Sequence, residues 1–209
     1  MTFHELYVLN SAIDGEDIYS LPEFSANQLP KITVELIKDS LIQKGYLLDY
    51  ETVTDMGAKD INKIRQFKVA KKYISLFDMV IGCVDNKKGI LLKRDREGEY
   101  SFTAIDVAQV KSILIEAFPL LFHDTEAVGL EVFHDKYVNA RSLLTEYPVH
   151  VKTSFTLKTT LVSKKEENTK ELFFESCGGK YYYDCTQNIL HVRSGQGLLN
   201  VLEERLEVL

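Results

Sequence analysis

The chain reads as an α+β protein, with a central antiparallel sheet built from two meanders, flanked by helices in a pseudo-twofold arrangement. Two observations carry that reading. The hydrophobic period changes near Phe77 from that of helices, about 3.6 residues, to that of strands, about 2, and the order of helices, meander and helix is then repeated in the second half. Polar, turn-forming connections separate the short apolar runs, as antiparallel hairpins require. The chain is taken as a single domain over residues 1–209, with possible half-repeats at 1–121 and 122–209.

Each element has its own signal. Thr2 and Glu5 have the spacing of a capping box, followed by Phe3, Leu6, Val8 and Leu9 in a short first helix ending near Asp14-Gly15. Pro30 opens a second helix in which Ile32, Leu36, Ile37 and Leu41 are read as one apolar stripe, closed by Lys44-Gly45. A third helix is predicted from Thr54 to Leu76 on Ile61, Ile64, Phe67, Ala70 and Ile74. Strands follow at Met79–Val84, Gly89–Lys93 and Glu99–Ala104, then a helix capped by Asp106 and stopped by Pro119. The segment Glu126–Leu144 reads as helical around Phe133, Tyr137, Ala140 and Leu144. Strands are predicted at Val149–Ser163, Glu171–Ser176, Lys180–Thr186 and Ile189–Arg193, with turns at Gly178-Gly179 and Gln187-Asn188, and Ser194 caps a last helix.

Composition bounds the function classes. A formal charge of −6 argues against nucleic acid or an anionic membrane as the main partner. The first ten residues carry His4 and Glu5 where a secretory signal has basic residues, and no apolar run reaches the roughly 20 residues of a membrane span, so a cytoplasmic location is expected. Cys83, Cys177 and Cys185 are odd in number and lack a C-x-x-C pair, which supports neither a disulfide framework nor a zinc site.

Candidate chemistry is sparse. The tripeptides Phe122-His123-Asp124 and Phe133-His134-Asp135 offer His-Asp dipeptides of the kind that ligate metal in one class of phosphohydrolases, but the further ligands are missing, and polar or capping roles are favoured. Ser194-Gly195-Gln196-Gly197 has the position of a phosphate cradle, yet it lacks a third glycine and a P-loop lysine, so an N-cap is preferred. No G-x-S-x-G elbow is present. Lys63, Arg65, Lys68, Lys71 and Lys72 make one helix basic, and Glu203, Glu204 and Glu207 make the last one acidic. Solvated faces are the plain reading, and a docking face for a helical partner is the functional one. Tyr181-Tyr182-Tyr183 puts aromatics on both faces of one strand, from which an exposed or interfacial ring is expected. The sequence points to no enzyme, metal or cofactor, and to a protein partner; it leaves oligomeric state open.

The opening Phe3-His4-Glu5-Leu6-Tyr7-Val8-Leu9-Asn10, then Leu21-Pro22, then Lys44-Gly45-Tyr46-Leu47, resembles a group of small proteins of low-GC Gram-positive bacteria whose genes accompany type VII secretion clusters. That group is similar to the EspG-type secretion chaperones of mycobacteria, which have a central antiparallel sheet, helical flanks and a quasi-twofold repeat. The resemblance implies a cytoplasmic chaperone or adaptor that binds a helical WXG or LXG substrate before export. Candidate contacts are the tips of two predicted hairpins: Asp95, Arg96, Glu97 and Gly98 in the first half, and Lys164, Lys165 and Glu166 in the Lys164–Asn168 loop of the second. The alternatives are an immunity protein that neutralises a cognate toxin and, ranked last, a small enzyme with a dispersed site.

Overall fold

The computed structural model describes residues 1–85, 87–123, 135–162 and 167–207. Among them lie α1 (Phe3–Asn10), α2 (Lys31–Gln43), α3 (Asp55–Lys68), β1 (Lys72–Leu76), β2 (Met79–Cys83), β3 (Lys88–Arg94), β4 (Tyr100–Asp106), α4 (Val107–Ala117), α5 (Pro119–Phe122), β5 (Asp135–Tyr137), α6 (Ala140–Glu146), β6 (Ser154–Leu161), β7 (Glu167–Ser176), β8 (Gly179–Asp184), β9 (Ile189–Arg193) and α7 (Gly195–Leu206). The strands hydrogen-bond in the order β4-β3-β2-β1-β6-β7-β8-β9-β5, a nine-stranded antiparallel sheet flanked by helices. The α+β class with two meanders holds. The chain divides into two compact units, one of Met1–Ala70, Asp78–Val84 and Gly89–Ile105, the other of Lys71–Phe77, Asp85–Lys88 and Asp106–Leu209.

In the first unit, α1 begins with the predicted capping box: Glu5 N–H donates to Thr2 Oγ1 at 3.3 Å, and Thr2 N–H donates to Glu5 Oε2 at 2.7 Å. Leu6, Tyr7, Val8 and Leu9 are all buried, so α1 is covered nearly all round. On α3, Ile61, Ile64 and Phe67 face the core, and the Phe67 ring meets Phe102 of β4 edge-on at 5.5 Å. A Cβ on Gly82 of β2 would stand 2.9 Å from the Phe67 ring, so a glycine is what lets α3 approach the strand this closely.

Two expectations for this stretch are corrected. The third helix stops at Lys68 rather than Leu76, and Lys72–Leu76 forms β1. Lys72, Tyr73, Ile74 and Leu76 are all buried, and a strand covered on both faces shows no alternation to distinguish it from a helix. Ala70 and Ile74 continue the helical spacing by coincidence. The first meander therefore has four strands instead of three. The apolar stripe of α2 is also divided. Leu41 is fully buried, whereas Ile32 and Leu36 are 68% and 64% exposed.

In the second unit, β1 pairs with β6 (Ile74 opposite Thr159), β6 with β7, β7 with β8, β8 with β9, and β9 with β5. Cross-strand partners align aromatics on one face: Phe155 stacks on Phe173 at 4.9 Å, Phe173 on Tyr182 at 5.9 Å, and Tyr182 on His191 at 4.1 Å. Phe118, which caps the C-terminus of α4, and Phe122 of α5 cover Phe155. The other face carries Phe174, Tyr183 and Leu190 beneath Val138 and Leu143. With both faces covered, Tyr182 and Tyr183 are buried and Tyr181 is half-buried against Tyr147. Of the ring expected to be exposed or at an interface, the structure shows only the half-buried Tyr181.

The β7–β8 hairpin turns on Cys177-Gly178, both at positive φ (52° and 82°), one residue ahead of the predicted glycine pair. Tyr137, predicted helical, lies on β5. Val151–Thr153 is a 3-10 turn, so β6 starts at Ser154 rather than Val149. Phe133 of the predicted middle helix and Ser163 of the predicted strand lie outside the described residues.

Candidate partner-binding surface

The first predicted contact loop tips a hairpin, between β3 and β4. Asp95 Oδ1 accepts the N–H groups of Glu97 and Glu99 at 2.9 and 2.8 Å, and Gly98 turns the chain back with φ +86°. Arg94 lies 5.6 Å over the Tyr100 ring at the base of the turn. The Asp95 side chain thus fixes the backbone of the turn, while Arg96 and Glu97 are exposed. The second predicted loop, Lys164, Lys165 and Glu166, lies outside the described residues, between the end of β6 and the start of β7.

Sequence reading missed the outward face of α2. At about 100° per residue, Ile32 and Leu36 fall within about 40° of one another, with Glu35 and Asp39 beside them, while Leu41 is half a turn away. Counting that angle separates the two faces from sequence alone. Exposed Tyr50 is held against this helix: its hydroxyl donates to Asp39 Oδ1 at 2.6 Å, and Lys38 Nζ donates to the Tyr50 carbonyl at 2.8 Å. Asp39 in turn raises the pKa of the Tyr50 phenol above its usual value. Asp49 accepts the N–H groups of Glu51 and Thr52, which tightens the loop and lowers the Asp49 pKa.

The inward side of α2 is braced by a charged network. Lys44 Nζ donates to Glu99 at 2.8 Å and to buried Glu5 at 2.9 Å, and Ser40 donates to the other oxygen of Glu5 at 2.7 Å. Burial raises the Glu5 pKa, but hydrogen bonds from Ser40, the Thr2 backbone and Lys44 outweigh it and leave the carboxyl below its usual range. The hydrogen bond from Lys44 also lowers Glu99, and the two carboxylates together raise Lys44. This network ties α1, α2 and the start of β4 and so fixes which side of α2 faces outward.

A family model matches residues 1–208. The chain belongs to the DUF5081 family, a domain of unknown function. No curated protein matches it.

Other candidates in this DUF5081 chain resolve into structural roles. Ser194 Oγ accepts the Gly197 N–H at 3.0 Å, which makes the glycine-bearing turn an N-cap. Asp124, Phe133 and His134 lie outside the described residues. Asp135 meets His191 Nδ1 at 2.8 Å and Arg193 at 3.1 Å, contacts that lower its pKa, the hydrogen bond from His191 most of all. No group of three or more His, Cys, Asp or Glu side chains among the described residues could hold a metal ion, and none of the three cysteines is in a disulfide. Three of the five residues of the basic set have partners within the fold: Lys63 with Asp60, Lys68 with Asp14 and Asn10, and Lys72, inside β1, with the carbonyl of Glu207. Glu203 pairs with Lys111. No described helix is long and apolar enough to cross a membrane.

Proposed function

We propose that this DUF5081 protein is a cytoplasmic chaperone or adaptor that binds a helical type VII secretion substrate, of the WXG or LXG kind, before export. The observation that carries the reading is the outward face of α2, where Ile32 and Leu36 stand one turn apart in solvent on a helix whose opposite side is clamped to the fold. Exposed apolar side chains at i and i+4 are the anchors by which one amphipathic helix receives another. The resemblance to proteins encoded with type VII secretion clusters, which extends from the opening motifs through the helix-then-meander order to about Leu121, supplies the kind of partner. In this reading the protein carries out no chemistry. It covers the apolar faces of a secreted helical hairpin until the export machinery takes it.

The test is affinity capture of the tagged protein from its native host, with mass spectrometry of what co-purifies. Enrichment of a small helical secretion substrate supports the reading. Enrichment of a toxin's catalytic domain in its place assigns the protein as an immunity factor, and recovery of nothing above background sinks both.

A further inference from the structure

We infer that the outward face of α2 takes a single basic amphipathic helix of a partner protein, with Ile32 and Leu36 as the apolar anchors and Glu35 and Asp39 as the charged rim. The inference rests on the partner-binding reading above and names the chemistry of the partner at that face.

The charge around the face sets the partner's sign. Residues 35–55 carry Glu35, Asp39, Asp49, Glu51 and Asp55 against Lys38 and Lys44. Lys44 is engaged on the inward side with Glu5 and Glu99, and Lys38 is held by the Tyr50 carbonyl. Lys31 stands 3.8 Å from Glu35 but is 91% exposed, so it offsets that carboxylate only weakly. Asp49 is held more acidic by the hydrogen bonds it accepts from Glu51 and Thr52. Glu35 and Asp39, with Asp49 and Glu51 on either side of the Tyr50 that bonds to α2, outnumber Lys31 and Lys38, and this excess of carboxylate beside the two apolar anchors disfavours anionic membranes and nucleic acid. It attracts lysine and arginine placed beside an apolar stripe.

The geometry sets the partner's secondary structure. A helix consumes its own backbone donors and acceptors, so α2 can offer only side chains, and side-chain ridges receive the ridges of another helix rather than an added strand. The apolar stripe spans about one turn and is bordered by charge on the Glu35 side, which leaves width for one helix.

The probe is a synthetic peptide of about 18 residues, five helical turns, with leucines on one face and lysines on its flanks, compared with the same peptide carrying glutamates for the lysines. Chemical-shift mapping on the full chain should place the lysine peptide at Ile32, Leu36 and Tyr50. Affinity should fall about tenfold or more in Leu36→Asp and in the double variant Glu35→Lys/Asp39→Lys, and should weaken as salt rises from about 0.05 to about 0.5 M. The glutamate peptide should prefer the charge-reversed variant. Shifts that map elsewhere, equal binding of the two peptides, or no binding overturn the inference. The two readings fail separately. A secretion substrate captured equally by the native chain and by Leu36→Asp keeps the chaperone reading and removes α2. A lysine peptide on α2 with no substrate captured keeps the α2 site and removes the secretion reading.

Discussion

Ile32 and Leu41 stand nine residues apart on α2, about half a helical circumference, and Leu41 is fully buried while Ile32 is 68% exposed. The two faces of this helix should therefore respond differently to mutation. Leu36→Asp, on the Ile32 side, should shift unfolding by less than about 0.5 kcal/mol. Leu41→Ala should cost about 2–5 kcal/mol, because it opens a cavity beneath the helix. Urea denaturation of the two variants compares them directly, and equal costs would reverse the assignment of the faces.

The Glu5–Lys44–Glu99 network gives stability a defined pH dependence. Both carboxyls have folded pKa values below the ordinary 4.5, so their contribution is complete above that value and is lost as pH falls through the lowered folded values. Lys44 has a folded pKa above 10.5, so its contribution is present below that value and is lost only as pH rises beyond it. Glu5→Gln, which keeps the shape and removes the charge, should cost about 1–3 kcal/mol near neutrality. The deficit should shrink toward zero as the native carboxyl takes up its proton. Denaturant midpoints from about pH 3 to about pH 7 read this out, and a deficit independent of pH would show that the charge of Glu5 is not what α1 and α2 use.

How much was legible follows from which residues had one reading. Thr2 with Glu5, Asp106 and Ser194 announced three helix starts because each side-chain oxygen has a single local use, and all three cap as expected. Lys72–Leu76 was illegible as a strand because its side chains are buried on both faces, with only Ser75 half-buried, which erases the alternation that marks a half-buried strand. Val69, 70% exposed, was the available sign that α3 had ended. The Asp95–Gly98 tip was readable from its turn residues. The α2 face is legible only through its angles, which put Ile32 and Leu36 about half a turn from Leu41 and so divide four apolar residues into two patches.

Glu171 and Arg205 should be asymmetric in what their loss costs. Arg205 holds both oxygens of Glu171, with Nε at 3.0 Å from each and Nη2 at 2.9 Å from one, and this pairing raises the Arg205 pKa further. Glu171 has a side-chain exposure of 1%, whereas Arg205 retains 29%. Without Glu171 the guanidinium can turn to water. Without Arg205 a buried carboxylate is left unpaired. Arg205→Ala should therefore cost about 3–5 kcal/mol and Glu171→Gln distinctly less. Equal penalties for the two variants would refute this account.

Thr159 and Thr169 face each other across β6 and β7, and the hydroxyl of each is buried with no hydrogen-bond partner among the described residues. Burying an unpaired hydroxyl costs about 1–3 kcal/mol, and valine keeps the shape and the β-branching that suit a strand. Thr159→Val should therefore leave stability unchanged or raise it by about 1 kcal/mol. The adjacent Thr160 is the control. It is also buried, but its Oγ1 donates to Asn168 Oδ1 at 2.6 Å, so Thr160→Val removes a made hydrogen bond and should lower stability by about 1 kcal/mol. Thermal and urea unfolding of the two single variants should move in opposite directions. A loss at Thr159 as large as that at Thr160 would mean that its hydroxyl is satisfied in solution.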